Sequence, residues 1–191
     1  MDLKSKVLSA LKVAFKGRAF GESFLDSHQG FYINEIKSSA CIQFNVIAEL
    51  YSISMNGTSA YNYWLINCND DKIVTVDTLK SFLLSMADIS EKNIRKTFIT
   101  SRYPFNRSAL RYAFENNIGL ARIAPLGSNP KIDIGTNLIQ GISPLELKEA
   151  LCTNEFGTRR KEFYGFNSSG KIEQLGSLEN YFRSEMFSIN L

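Results

Sequence analysis

The stretch "LINCNDDKIVTVDTLKSFLL", Leu65 to Leu84, runs from an apolar strand pattern through an acidic and basic cluster into an amphipathic helix pattern. Asn67 and Asn69 sit two residues apart on the strand, and Asp70, Asp71 and Lys72 follow at once. Amides on a strand form hydrogen bonds, and an acid-rich cluster at a strand end reads as a solvated turn. A second group is basic. Arg95, Lys96, Arg102, Arg107 and Arg111 fall around one strand and its following helix, with Tyr103, Phe105 and Tyr112 among them. Such cations neutralise phosphates, and such aromatics stack on unpaired bases. The same residues equally fit a solvated helix face over core aromatics. "TRRK", Thr158 to Lys161, is a further basic spot, and Thr100 and Ser101 have hydroxyls for either a phosphate or a turn. His28 is the sole histidine and reads as solvated or locally hydrogen-bonded.

The whole chain is only mildly basic. It has 191 residues, 44% of them hydrophobic, and 22 Lys and Arg against 19 Asp and Glu, for a net charge of +3. That is enough to bury one real core, and too little basicity to announce a nucleic-acid binder on charge alone. Cys41, Cys68 and Cys152 are far apart and lack any CxxC pairing, which fits a reduced, cytoplasmic setting. Cys68, between the two asparagines, reads as a small buried hydrophobe. No apolar run approaches the roughly 20 residues that span a bilayer, and the start lacks the unbroken apolar stretch of a signal peptide, so no membrane partner is expected. P-loop, GxSxG, zinc-finger and Rossmann fingerprints are absent.

Periodicity supplies the elements that must position these groups. Leu3, Val7, Leu11, Ala14 and Phe15 share one helical face, and Gly17 and Gly21 punctuate it. "GFYINEIK" and "ACIQFNVIAELYSIS" read as strands joined around Ser38 and Ser39, and "YNYWLINCN" as a third. Leu79, Phe82, Leu83 and Met86 then mark a core-facing helix that Thr75 can cap. "KTFITSR" is a short buried strand, Asn106 a cap for the helix "RSALRYAFENN", and "IGLARIAP" another strand. Strands alternating with helices in this half predict parallel strands covered on both faces, an α/β architecture. After Pro125 the sequence predicts an irregular connector, a short helix near "PLELKEAL", a hairpin around Ser168, Ser169 and Gly170, and a final helix capped by Ser177.

The order helix, three strands, helix, strand, helix, strand resembles the core of the restriction-endonuclease-like, or PD-(D/E)xK, nucleases. "KTFITSRYPFNRSALRYAFENNIGLARI" resembles the Mrr-type branch, in which a strand ending in Thr and Ser meets a helix with an A-x-x-Y-A pattern and then an I-x-L strand. The helix "TVDTLKSFL" is similar to the one that follows that branch's catalytic strand. The resemblance covers about residues 1–125 and implies a three-layer α/β/α core with a mixed central sheet, leaving residues 126–191 as a small α+β extension.

Members of that family bring two carboxylates around a divalent metal, usually Mg²⁺, with a lysine beside them. The resemblance places the first acid on Asn45 in "IQFNVIAEL" and the (D/E)-x-K pair on Asn67 and Asn69. All three are amides, which neutralise little of a divalent cation and cannot replace a lysine's charge, so strong metal binding should be lost. A rival register uses Asp70-x-Lys72, with Glu35 or Glu49 supplying the other acid and Mg²⁺ as cofactor. It leaves only Ile73 and Val74 before Thr75. The expectation favoured by the resemblance is a catalytically substituted Mrr-type domain that binds, senses or scaffolds DNA in a bacterial or phage defence system. The alternatives are an active Mg²⁺-dependent endonuclease at the displaced site, and a protein-interaction module, or a homodimer, that uses the hairpin and final helix as a partner surface.

Overall fold

A computed structural model describes residues 2–14, 29–38, 46–54, 59–86, 94–125, 143–154, 162–172 and 177–187. In it a single sheet carries six strands in the spatial order of the sequence. β1 (Gln29–Ser38), β2 (Val46–Ser54) and β3 (Ser59–Cys68) form an antiparallel meander, with a register shift between Ile33 and Glu35. β4 (Ile94–Thr100) and β5 (Ile118–Ile123) continue parallel to β3, and β6 (Phe163–Phe166) closes the described sheet antiparallel to β5. The protein is therefore α/β with a mixed sheet. Parallel neighbours need a crossover, and α2 (Val76–Leu84) and α3 (Arg107–Glu115) supply the two here.

Each helix starts where a side chain can satisfy orphan amides. The Thr75 and Thr78 hydroxyls accept reciprocally from each other's backbone N–H, at 3.3 and 3.4 Å, a capping box that fixes the start of α2. Asn106 Oδ1 accepts from the Ser108 N–H to open α3, and Ser143 does the same from Glu146 for α4 (Pro144–Cys152), which has proline in its first turn. In α1 (Leu3–Ala14) Asp2 accepts from Ser5, and Ser177 accepts from Asn180 to open α5 (Leu178–Phe187). α3 is capped by Asn116 and followed by Asn117 with φ of 52°, a left-handed conformation that asparagine tolerates and that turns the chain straight into β5.

The strand alternation divides the interior into two cores. Trp64, Ile66, Ile99, Ala121 and Phe163 face α1 and α5, where Val7, Leu11, Tyr181 and Phe182 meet them. Leu65, Phe98, Ile118, Leu120 and Tyr164 face α2, α3 and α4, against Leu79, Phe82, Ala109, Ala113 and Leu151. Period two along the strands puts successive side chains into opposite cores, which is why β5 is buried throughout. Ala109 and Ala113, both at 0% exposure, let α3 sit close on the sheet.

The residues after Pro125 complete both cores. β6 extends the sheet, α4 covers one face, and α5 packs beside α1, with Phe182 edge-on to Trp64 at 5.3 Å between ring centroids. The expected hairpin turn is present: Gly170, at φ of 79°, donates to the Asn167 carbonyl, and Phe166 bridges Ile172. Its strand and the inner face of the final helix are buried, so those surfaces are committed to the fold.

β5 passes so close beneath α5 that glycine is required at one point. A Cβ on Gly119 would collide with the Tyr181 hydroxyl and stand 3.2 Å from the Ser168 amide nitrogen. We expect Gly119→Ala to lower unfolding free energy by about 2 kcal/mol, read from urea denaturation, as overpacking of a closed interior does.

Candidate nucleic-acid interface at the carboxyl ends of the parallel strands

Asn67 lies on the strand face shared with Leu65, opposite Cys68, and is buried at 7% exposure. The Asn69 backbone N–H extends the parallel ladder by donating to the Ile99 carbonyl, and its side-chain oxygen accepts from the Asp71 N–H at 3.1 Å. Asn69 thus organises a local turn, as a short amide does at a strand end. Asn45 lies outside the described residues. The two described amides therefore perform different structural tasks, one in the interior and one in a turn.

Asp70 is also engaged. One of its carboxylate oxygens accepts from two successive backbone amides of the turn after β4, Ser101 at 3.2 Å and Arg102 at 2.6 Å. Asp71 and Lys72 are exposed in the bend before Thr75. Glu49 pairs with Tyr63 and Glu35 with Glu49, five residues before the end of β3, which puts both roughly 16 Å or more short of that end along the strand direction. Ligands of one Mg²⁺ lie about 2.1 Å from it, so neither glutamate can share a cation with Asp70. The strand register thus places the backbone of Glu35 and Glu49 at a distance from Asp70 and Lys72. Among the described residues no group of three His, Cys, Asp or Glu side chains converges on a metal position.

The residue that organises this end of the sheet is Arg122. It stands on β5 at 0% exposure, on the α2, α3, α4 face. Its guanidinium donates to four backbone carbonyls, all at 3.1 Å or shorter: Nε to Ser101, Nη2 to Arg102, and Nη1 to Ala150 and Thr153. Two of those carbonyls end α4, where partial negative charge accumulates and a cation is favoured. The other two lie in the turn after β4: the Ser101 carbonyl shares its peptide unit with the Arg102 N–H that faces Asp70, and the Arg102 carbonyl begins the next unit. The turn is pinned further along: Val74 and Phe105 form a bridge, the Val74 N–H donates to Pro104, and the Phe105 N–H donates to Leu151. Sequence reasoning did not single out Arg122, although an arginine inside "IGLARI" was the available signal, since a charge in a strand buried on both faces must be heavily hydrogen-bonded.

The expected basic patch divides. Arg95 and Lys96 stand at the amino end of β4, roughly 20 Å from Arg102 along the strand, and they occupy opposite faces of the sheet. Burial holds the Arg95 guanidinium below its ordinary value, with Glu185 and Tyr181 opposing the shift. Lys96, its ammonium also disfavoured by burial, donates to the Asn116 carbonyl at the end of α3. Arg111 pairs with Glu115 at 2.9 Å, one turn along the same exposed helix face. Arg102 and Arg107 remain, both exposed, one in the pinned turn and one at the first position of α3. Of the interleaved aromatics, Phe105 is core at 1% exposure and Tyr112 packs partly against the same core, which leaves Tyr103, half-buried, at the turn.

The hydroxyls of this end are inside. Thr100 and Ser101 are buried, and the Thr100 Oγ1 has no hydrogen-bond partner among the described residues. Neither presents itself to a phosphate on the surface. Burial pushes the Cys68 thiol up to about 12, consistent with an unreactive packed side chain. His28, Cys41 and Thr158 to Lys161 lie outside the described residues.

A separate polar cluster sits at the other end of the parallel strands. The Glu185 carboxylate, at 0% exposure, accepts from the Ser168 N–H with both oxygens, at 2.9 and 3.1 Å, so the β6 turn is held to α5. Thr97 Oγ1 accepts from Trp64 Nε1 at 2.9 Å and lies 3.4 Å from the Tyr181 hydroxyl. Desolvation raises the Glu185 carboxyl above its ordinary value, opposed by the Ser168 hydrogen bonds and by Arg95.

Comparison with protein families, with curated proteins and with solved structures finds no match. Among the described residues no helix is long and apolar enough to cross a membrane.

Two outcomes follow from this geometry. Arg122→Met keeps volume and removes every donor, so four buried carbonyls lose their partner, and we expect a loss of at least about 3 kcal/mol in chemical denaturation. Glu185 has a folded-state value raised above 4.5, so the native state holds its proton to higher pH than the unfolded chain. Its contribution to stability is therefore greatest below that value and declines as pH rises through the raised one. We expect the stability of Glu185→Gln relative to the parent protein to move in the variant's favour as pH rises above 4.5, measured by urea unfolding at each pH.

Proposed function

We propose that this protein is a restriction-endonuclease-like domain of the Mrr type, with a three-layer α/β/α core, that has lost metal-dependent cleavage and binds DNA through its phosphate backbone in a sensing or scaffolding role. The observation that carries this is the β4 to α3 turn, where exposed Arg102 and Arg107 project from a backbone held on opposite sides by Asp70 and Arg122. Binding groups on a loop fixed by a rigid scaffold, at the carboxyl ends of parallel strands, match the usual placement of ligand sites in open α/β sheets. Preorganised cations lose little conformational freedom when they meet a phosphate. Support for the family comes from the element order, one helix, an antiparallel meander of three strands, a helix and a parallel strand, together with the quoted Mrr-like segment. Support for loss of cleavage comes from the amides Asn67 and Asn69 and from the distance of Glu35 and Glu49 from Asp70. A bacterial or phage defence setting is part of the proposal and rests on the resemblance.

The tests are direct. Supercoiled plasmid incubated with the protein and Mg²⁺ or Mn²⁺ should stay intact; nicking that disappears in Asp70→Ala would replace this proposal with a displaced active site. Fluorescence anisotropy with a labelled duplex should report binding that weakens with salt. Arg102→Ala and Arg107→Ala should each weaken it for all sequences alike and make the plot of log affinity against log salt shallower by about 1. Absence of binding at low salt sinks the proposal.

A further inference from the structure

We infer that Asp70 is a positioning residue for the DNA-binding turn, an inference that rests on the proposal above. An acid beside a phosphate-binding surface is unfavourable by charge alone. Its geometry explains why one stands here. Two successive amides, Ser101 and Arg102, converge on a single Asp70 oxygen, an anion-receiving arrangement of backbone dipoles filled by the chain itself. Arg122 holds the carbonyls of the same two residues. The peptide unit before Arg102 is thus held at its N–H from the loop after β3 and at its carbonyl from β5, and the unit after it is held at its carbonyl by Arg122.

Asp70 is itself held by its neighbours. The Asn69 N–H is tied to Ile99, the Asn69 side chain closes on Asp71, and Val74 bridges Phe105. The loops after β3 and after β4 are therefore stitched into one unit that ends at the Asn106 cap, next to Arg107. Asp71 and Lys72 beside it are exposed, and Asp71 joins this bracing through its backbone N–H. What the cluster offers is a backbone clamp for the arginines that meet the phosphates, with the acid acting through Arg102.

Charge and placement make opposite predictions, which allows a clean test on the full chain with a fluorescent 20-base-pair duplex at low salt. If charge alone mattered, Asp70→Asn and Asp70→Ala would both tighten binding. Positioning predicts that Asp70→Asn, whose amide oxygen still accepts, binds as tightly as the parent or more tightly. It predicts that Asp70→Ala binds roughly five- to tenfold more weakly, the scale of groups coupled through one loop. In an Arg102→Ala background, Asp70→Ala should add less than twofold, a result that general destabilisation would not give. Hydrogen exchange of the Ser101 to Tyr103 segment should be faster in Asp70→Ala than in Asp70→Asn, and this reads the clamp even if the alanine variant is too unstable for binding work. Asp70→Ala binding as tightly as Asp70→Asn, or equal exchange in both, overturns the inference while parent binding leaves the functional proposal standing. A parent protein that does not bind removes both.

Discussion

A fully buried guanidinium bonded to four backbone carbonyls is the constraint on which the carboxyl end of the sheet depends. Arg122 reaches residues 20 to 31 positions away in sequence, in both directions, and joins β5 to the turn after β4 and to the end of α4. A charge taken into the interior is tolerated only where its donors are satisfied, and the planar fork of arginine can address several oxygens at once where a lysine ammonium would offer one centre. The carbonyls it uses are the ones the fold leaves over. Those at the end of α4 have no helical partner, and those at Ser101 and Arg102 follow the last ladder position of β4. One side chain thereby answers the needs of two separate chain ends.

That arrangement divides the molecule into a braced end and a second polar end. At the amino end of β4 and β5, Glu185 holds the β6 turn onto α5, with Thr97, Trp64 and Tyr181 in contact nearby. At the carboxyl end, Asp70 and Arg122 hold the β4 to α3 turn. Both use a buried ionisable side chain bonded to backbone groups, and at both ends a contact joins residues on either side of Pro125: Arg122 with Ala150 and Thr153, and Thr97 with Tyr181. The chain after Pro125 is consequently part of the same interior as the chain before it. α4 supplies carbonyls to Arg122, and α5 brings the Tyr181 hydroxyl to Thr97.

Local rules made much of the fold legible. The change from period two to the Leu79, Phe82, Met86 spacing, with Thr75 as cap, appears in the structure as β3, a short bend and α2. Asn106 caps α3 as its residue type suggests. These features rest on interactions within four residues, so sequence spacing encodes them. Arg122 was not legible in the same way, because its partners are carbonyls, which every residue has, and only the tertiary fold selects which four. The division of the basic residues was hidden for the same reason. Arg95 and Lys96 are adjacent in sequence to a turn that a strand length separates from them in space, and strand alternation sends them to opposite faces.

The Asp70-x-Lys72 spacing shows how a short motif depends on its frame. On a regular strand the two side chains would share a face, and catalysis by such a pair requires that shared face and a second acid within metal distance. β3 ends at Cys68, and from Asn69 onward the chain is in a turn with side chains bonded to backbone. The acid therefore meets amide dipoles that a metal site would leave for other anions. One Asp70 oxygen is thereby committed to Ser101 and Arg102, and the acid's role in the fold is to hold those two amides. What the Asp70 side chain does in the structure is fix the shape of the β4 to α3 turn through two successive backbone amides.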